Sequence, residues 1–100
     1  MKIHFERTGG FAGMKLKASL NSESLPARSM QHLRRLLEES RFFELPLRLE
    51  SHEIRPDRLQ YRVTVENNNC VHTVQTSEDA IPQEMRPLLE WLTAAARRQR

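Results

Sequence analysis

All three glycines of this 100-residue chain fall between positions 9 and 13, on either side of Phe11. Apolar and polar residues alternate before them, over residues 3–6, and after them, over residues 14–20. This alternation is typical of half-buried strands, so the pattern predicts a β-hairpin with a wide, glycine-rich tip. Glycine allows backbone angles that hold a large side chain outward, which makes Phe11 the centre of a predicted contact surface. The alternative is that Phe11 folds back onto its own sheet.

A second hairpin is predicted later in the chain. Its first strand has alternating apolar residues, namely Leu59, Tyr61, Val63 and Val65. The chain then reverses at Asn67-Asn68-Asn69, because asparagine tolerates a left-handed backbone. The returning strand places Val71, Thr73 and Gln75 on one face and Cys70, His72, Val74 and Thr76 on the other.

Apolar residues at helical spacing predict two helices. The first opens at Leu25-Pro26, ends near Ser40 and buries Met30, Leu33, Leu36 and Leu37. The second begins around Arg86, because Pro87 would break an amide hydrogen bond in a helix interior. Its apolar positions are Met85, Leu88, Leu89, Trp91 and Leu92.

Two further segments complete the predicted fold. Phe42, Phe43 and Leu45 are expected to plug one edge of the core, and residues 47–57 to form a long surface loop with short extended pieces. The fold class is then α+β, with about four mostly antiparallel strands in two hairpins and two helices packed on the sheet. A length of 100 residues, 38% of them hydrophobic, suits a single domain over residues 1–100.

Composition narrows the partners that we expect. Apolar stretches are short and the start lacks a signal-like pattern, which predicts a cytoplasmic protein with no membrane partner. The solitary Cys70 cannot form an internal disulfide. The net charge of +3 has one dense basic run, Arg97-Arg98-Gln99-Arg100, which is more typical of a solvated helix terminus than of a nucleic-acid site. We therefore expect no nucleic-acid partner.

No spacing in the chain argues for catalysis. A nucleophile beside a base, a pair of carboxylates or a set of metal ligands is not evident. His4 and His72 could meet across strands and bind a metal, but surface histidines are the better interpretation because further ligands are missing. The glycine cluster leads into a strand, so it lacks the geometry of a phosphate-binding loop. The prediction is a protein that is not an enzyme, with no cofactor and no metal of its own.

Five segments in order along the chain resemble emfourin and its relatives. They are FERTGGFAG at 5–13, FFELP at 42–46, DRLQYRVTVE at 57–66, HTV at 72–74 and RPLLEWL at 86–92. Emfourin-like proteins are small bacterial inhibitors of protealysin-like metalloproteases, which belong to the thermolysin family. The resemblance covers nearly the whole chain.

The resemblance implies inhibition by blockage of the active site. An aspartate from one loop ligates the catalytic zinc of the protease, while apolar residues from a neighbouring loop fill its substrate subsites. The residues expected to contact the protease are Gly9, Gly10, Phe11, Ala12, Gly13, Met14, Asp57, Arg58 and Asp79. The expected complex is one to one, between a monomeric inhibitor and a thermolysin-like protease.

The chain has only two aspartates, Asp57 and Asp79. Asp57 is favoured for the zinc, because it ends the long loop within the best matching segment. If the third predicted strand pairs antiparallel with the first, Asp57 and the glycine tip share one end of the sheet. Asp79 lies where the fourth predicted strand returns the chain to the same end of the sheet. The alternative is that Asp79 is a helix-start residue whose charge favours the helix dipole. The alternative role for Asp57 is structural, in a Pro-Asp turn with a local hydrogen bond to the backbone.

A different class of function stays open at this point. The same apolar tip could serve a non-enzymatic adaptor or regulatory domain, with the resemblance reflecting fold alone. Titration of a purified thermolysin-like protease separates the two hypotheses, because an adaptor leaves peptide hydrolysis unchanged.

Overall fold

The structure, a computed structural model, describes residues 1–9, 15–49 and 58–99. Five strands form one sheet, and they are β1 (Lys2–Gly9), β2 (Leu16–Asn21), β3 (Arg48–Leu49), β4 (Leu59–Asn67) and β5 (Cys70–Ser77). Their order across the sheet is β2-β1-β4-β5-β3. The two α-helices are α1 (Ala27–Glu39) and α2 (Arg86–Arg98). Single 3₁₀ turns lie at Ser22–Ser24, Phe42–Glu44 and Gln83–Met85.

The two predicted hairpins are confirmed. β1 pairs antiparallel with β2 on one side and with β4 on the other, and β4 pairs antiparallel with β5. Asn68 and Asn69 connect β4 to β5 with φ angles of 47° and 69°. Asparagine adopts this left-handed backbone at lower cost than most residues, which is why the tight turn forms here.

The sheet has a fifth strand beyond the four predicted, formed by one of the short extended pieces expected within residues 47–57. Arg48 and Leu49, inside the predicted surface loop, pair in parallel with Gln75 and Thr76 of β5, which makes the sheet mixed. Leu47 extends the pairing, because its carbonyl accepts a hydrogen bond from the Gln75 amide at 2.7 Å. A strand of two residues has no measurable alternation, and its parallel partner is distant in sequence. Local patterning therefore does not predict it.

The core lies between the sheet and the two helices. The residues with at most 2% of their surface exposed come from the sheet, from both helices and from two of the 3₁₀ turns: Ile3, Phe5, Val63, Val65, Val74, Thr76, Leu33, Leu88, Leu92, Ala96, Phe42 and Met85. Every second strand residue faces the helices, as the alternation predicts. The other face of the sheet is open and polar, with Thr64 and Thr73 sharing a hydrogen bond of 2.9 Å between their hydroxyls.

Both helices begin where their prolines predict. Pro26 lies just before α1, and Pro87 lies in the first turn of α2, where a missing amide costs no hydrogen bond. The predicted aromatic plug is confirmed in part, because Phe42 is fully buried whereas Phe43 is 47% exposed. Neither described helix is long and apolar enough to span a bilayer.

Candidate functional site

Three chain segments meet at one end of the sheet, which we call the loop end. β1 finishes here at Gly9, β4 begins here after Arg58, and β5 finishes here at Ser77. Gly9 lies opposite Leu59 in the antiparallel register, and the carbonyl of Leu59 accepts a hydrogen bond of 2.9 Å from the Glu78 amide. The loop end therefore consists of Gly9, Arg58, Leu59 and residues 77–79.

The described residues that flank residues 10–14 and 50–57 lie at or beside the loop end. The β1–β2 pairing reaches Arg7 and Leu16, and the β3–β5 pairing reaches Leu49 and Thr76. The chain thus leaves the sheet and re-enters it in this one region. The antiparallel pairing of β1 with β4, on which the sequence argument depends, is present.

The predicted site residues divide into two groups. Gly9, Arg58 and Asp79 are described and lie together at the loop end. The other predicted contact residues lie outside the described part of the chain, and they are Gly10, Phe11, Ala12, Gly13, Met14 and Asp57. Their roles stay predictions.

Gly9 is the one predicted glycine whose backbone the structure describes, and its position requires glycine. Its φ of +103° is a conformation that other residues rarely adopt. A β-carbon built at this position would lie 2.5 Å from the carbonyl oxygen of Arg58, which belongs to the paired strand. β1 and β4 therefore approach each other so closely at this point that a side chain at position 9 would not fit.

Glu78 joins β5 to the start of β4 through both its backbone and its side chain. Its amide donates to the Leu59 carbonyl at 2.9 Å, and its carboxylate oxygen Oε1 accepts from the Leu59 amide at 3.0 Å. Both backbone groups of Leu59 are thereby satisfied by one residue. Glu78 does not stand out in the sequence, because its role depends on the register between β4 and β5.

Arg58 follows Asp57 directly and is held against the same glutamate. Its Nη1 atom lies 3.9 Å from Glu78 Oε1, and the two side chains are 36% and 32% exposed. Such a pair contributes little free energy at this exposure. The Nε atom of Arg58 is buried and has no hydrogen-bond partner among the described residues. Arg58 thus packs along the loop end and does not extend fully into solvent.

Asp79 is exposed at the loop end, but the helix-start alternative for it is wrong. The next 3₁₀ turn begins at Gln83 and α2 begins at Arg86, so Asp79 caps neither. Its Oδ1 atom accepts a hydrogen bond of 2.7 Å from the Ser77 hydroxyl. This carboxylate already stabilises the turn that follows β5.

His4 and His72 do not form a metal-binding pair. His4 alternates with buried Ile3 and Phe5 and so faces the open side of the sheet, 3.3 Å from the Ser19 hydroxyl. His72 lies on the covered side, where its ring is 5.4 Å from that of Phe42. Across residues 1–9, 15–49 and 58–99, no group of three ligating side chains could hold a metal ion.

His72 is also more than a surface histidine. Its Nε2 atom lies 2.9 Å from the carbonyl oxygen of Leu45, and its ring sits against both Phe42 and Phe43. These contacts attach the 3₁₀ turn Phe42–Glu44 to β5. The role of His72 is therefore structural, at the end of the sheet away from the loop end.

A comparison with known protein families identifies the family of this chain. The sequence model of the emfourin family matches residues 5–93, which is nearly all of the chain. No curated protein and no solved structure gives a significant match. Emfourins are protease inhibitors, so the match agrees with a chain that is not an enzyme, and it implies a metalloprotease as the partner. The chain therefore belongs to the emfourin family.

Proposed function

We propose that this protein inhibits a thermolysin-like zinc metalloprotease by placing the Asp57 carboxylate on the catalytic zinc. Phe11 and Met14, with the glycines around them, fill the apolar substrate subsites beside that zinc. Family membership supports the inhibitor role. The observation that carries the rest is the pairing of Gly9 with Leu59, because these residues border the two segments that bear Phe11 and Asp57.

The chemistry of a catalytic zinc makes a carboxylate an effective block. Such a zinc has three protein ligands and keeps one position for the water that attacks the peptide bond. A carboxylate oxygen at about 2 Å from the metal occupies that position. Hydrolysis then lacks its nucleophile, and the protease stays inactive while the inhibitor is bound.

The loop end anchors the described backbone that follows Asp57. Asp57 lies two residues before Leu59, whose amide and carbonyl are both bonded to Glu78. Fixing the backbone close to the carboxylate lowers the conformational entropy lost on binding. A flexible aspartate with no such support would bind the zinc more weakly for the same contact.

Apolar contacts give the block its selectivity. A carboxylate on zinc does not distinguish one zinc enzyme from another, so discrimination requires side chains that fit particular pockets. Buried aromatic anchors are typical of residues that dominate binding free energy. Phe11 occupies the centre of the glycine tip and is the residue to which we assign this role.

We assign Arg58 and Asp79 supporting roles in the same region. Arg58 lies beside Glu78 and borders the segment that bears Asp57. Asp79 stabilises its own turn through Ser77 and is not the zinc ligand in this proposal. The inhibitor acts as a monomer in a one-to-one complex and needs no cofactor.

Titration of a purified thermolysin-like protease tests the proposal. Hydrolysis of a fluorogenic peptide should fall linearly with added protein and reach zero at one equivalent, when the protease concentration is well above the Kd. Asp57→Asn, which keeps the side-chain shape and removes the charge, serves as the matched control and should inhibit far less. Unchanged hydrolysis in the presence of excess wild-type protein would favour the adaptor hypothesis.

A further inference from the structure

A cavity of about 390 Å³ opens beside the loop end, between α2 and the covered face of the sheet. Arginines dominate its charged lining, so we call it the arginine pocket. The residues that the argument uses are Arg7, Tyr61, Ile81, Arg86, Glu90 and Arg97. We propose that the arginine pocket receives an acidic side chain of the inhibited protease. The inference rests on the inhibitor function proposed above.

The position of the pocket links it to the loop end. Arg7 precedes Gly9 by two residues. Its partner in the β1–β4 register is Tyr61, which follows Leu59 by two residues. Ile81 follows Asp79 by two residues. Each of the three segments that meet at the loop end thus contributes one residue to the lining of the pocket. A protease bound at the loop end would cover the pocket or its rim.

The charge of the pocket is unbalanced. Arg7, Arg86 and Arg97 face a single carboxylate, that of Glu90. On α2, positions 86, 90 and 97 fall on one face of the helix, which directs them to the same side. Among the described residues, none of the three guanidinium groups takes part in an ion pair or a hydrogen bond. Their donors are therefore available to an anion.

The three arginines differ in exposure, because Arg86 and Arg97 are exposed on α2 whereas Arg7 is partly buried. Arg7 is half-buried at the end of β1, so its guanidinium has lost part of its hydration without gaining a carboxylate. An arginine in this situation binds a carboxylate with paired, charge-assisted hydrogen bonds, and it is less strongly hydrated than a lysine.

Apart from the polar Thr93, the rest of the lining is apolar and fits the stem of an acidic side chain. Leu89 and Ala94 line the wall on α2, and Tyr61 lies on the sheet with its ring 6.2 Å from that of Phe5. A glutamate or aspartate can place its methylene groups on this wall and its carboxylate among the arginines. The partner chemistry that matches both features is an acidic protein side chain at the rim of the protease cleft.

The test compares two triple variants of equal charge. One is Arg7→Gln with Arg86→Gln and Arg97→Gln, in the pocket. The other is Arg28→Gln with Arg34→Gln and Arg35→Gln, on α1. All three α1 arginines are exposed, and Arg34 lines a separate cavity with Met1 and Asn68, at the other end of the sheet. Circular dichroism should confirm that both variants fold.

Stopped-flow association with the protease, measured from low to high ionic strength, gives the readout. The pocket variant should associate about tenfold more slowly at low salt, because steering by complementary charge is lost. The difference should disappear at about 1 M salt, where the Debye length is only about 3 Å. The α1 variant should associate nearly as fast as the wild type.

Each outcome has a distinct meaning. Equal association rates for the two triple variants at every salt concentration would overturn the proposed role of the arginine pocket. The proposed inhibition would be unaffected by that result. Absence of any inhibition by the wild-type protein would overturn the proposed function, and the pocket inference with it.

Discussion

The two hairpins of this sheet turn at opposite ends and in different ways. Pairing between β4 and β5 continues to Asn67 and Cys70, so that only Asn68 and Asn69 connect these strands. Pairing between β1 and β2 stops at Arg7 and Leu16, and residues 8–15 connect them. The asparagine turn is as short as a hairpin allows, whereas the glycine turn carries extra residues with an aromatic at their centre.

The surroundings of the two turns differ as well. Val71, beside the asparagine turn, is 64% exposed, and a single exposed apolar side chain needs no functional explanation. At the loop end, three segments converge and Glu78 satisfies both backbone groups of Leu59. Convergence of other segments, more than exposure, therefore marks the glycine hairpin as the candidate binding surface.

The largest effect should come from replacing Asp57, the zinc ligand in our proposal. Asp57→Ala should weaken inhibition by about 100-fold or more, equivalent to about 2.7 kcal/mol, because a water molecule regains the zinc. The inhibition constant against a thermolysin-like protease measures this effect, and the melting temperature should stay nearly unchanged. Asp79→Ala is the matched control and should change inhibition by less than about threefold. A reversed order of the two variants would transfer the role to Asp79.

A second experiment compares alanine substitutions at two residues with positive φ angles, one at each turn. Gly9→Ala should lower the free energy of unfolding by about 3 kcal/mol, because the new β-carbon collides with the Arg58 carbonyl in a backbone that already disfavours it. Asn69→Ala, at φ 69°, meets only the backbone penalty of about 1 kcal/mol. Urea denaturation measures both values. Equal losses would mean that the close approach of β1 to β4 is unimportant.

A third experiment compares apolar residues of the two hairpins. Phe11→Ala should weaken inhibition by about 10- to 50-fold, as truncation of a buried aromatic anchor does. Val71→Ala removes an exposed apolar side chain at the asparagine end and should leave inhibition unchanged. The inhibition constants decide, with circular dichroism as the check on folding. Full inhibition by the Phe11 variant would remove the apolar anchor from our account.

The smallest effect should follow from loosening Glu78. Glu78→Ala leaves the Leu59 amide without its acceptor and should cost about 1 kcal/mol of stability, together with a several-fold loss of inhibition. Glu78→Gln keeps an acceptor oxygen and removes only a weak, partly exposed ion pair, so it should behave nearly as the wild type. Equal behaviour of the alanine and glutamine variants would show that the side-chain hydrogen bond does not position the loop.

Much of the fold follows from local patterns in the sequence. Period-two alternation locates β1, β2, β4 and β5, and prolines mark the starts of both helices. β3 escapes prediction because two residues carry no period, and because its partner on β5 is distant in the chain. A parallel connection of this kind is decided by the packing of the whole domain.

The candidate site could be predicted only in outline. The glycine cluster and Asp57 stand out in the sequence, and the pairing of Gly9 with Leu59 brings their neighbouring residues together. The role of Glu78 and the presence of the arginine pocket could not be predicted from the sequence. Both depend on the register between strands, which the sequence does not reveal. Side chains that act through register or through a shared cavity become visible only in three dimensions.

The most direct test of the central claim is a crystal structure of the protein bound to a thermolysin-like protease. Our account predicts a carboxylate oxygen of Asp57 at about 2 Å from the catalytic zinc, with Phe11 in an adjacent substrate subsite. A zinc that keeps its water while the loop end faces away from the cleft would contradict the account.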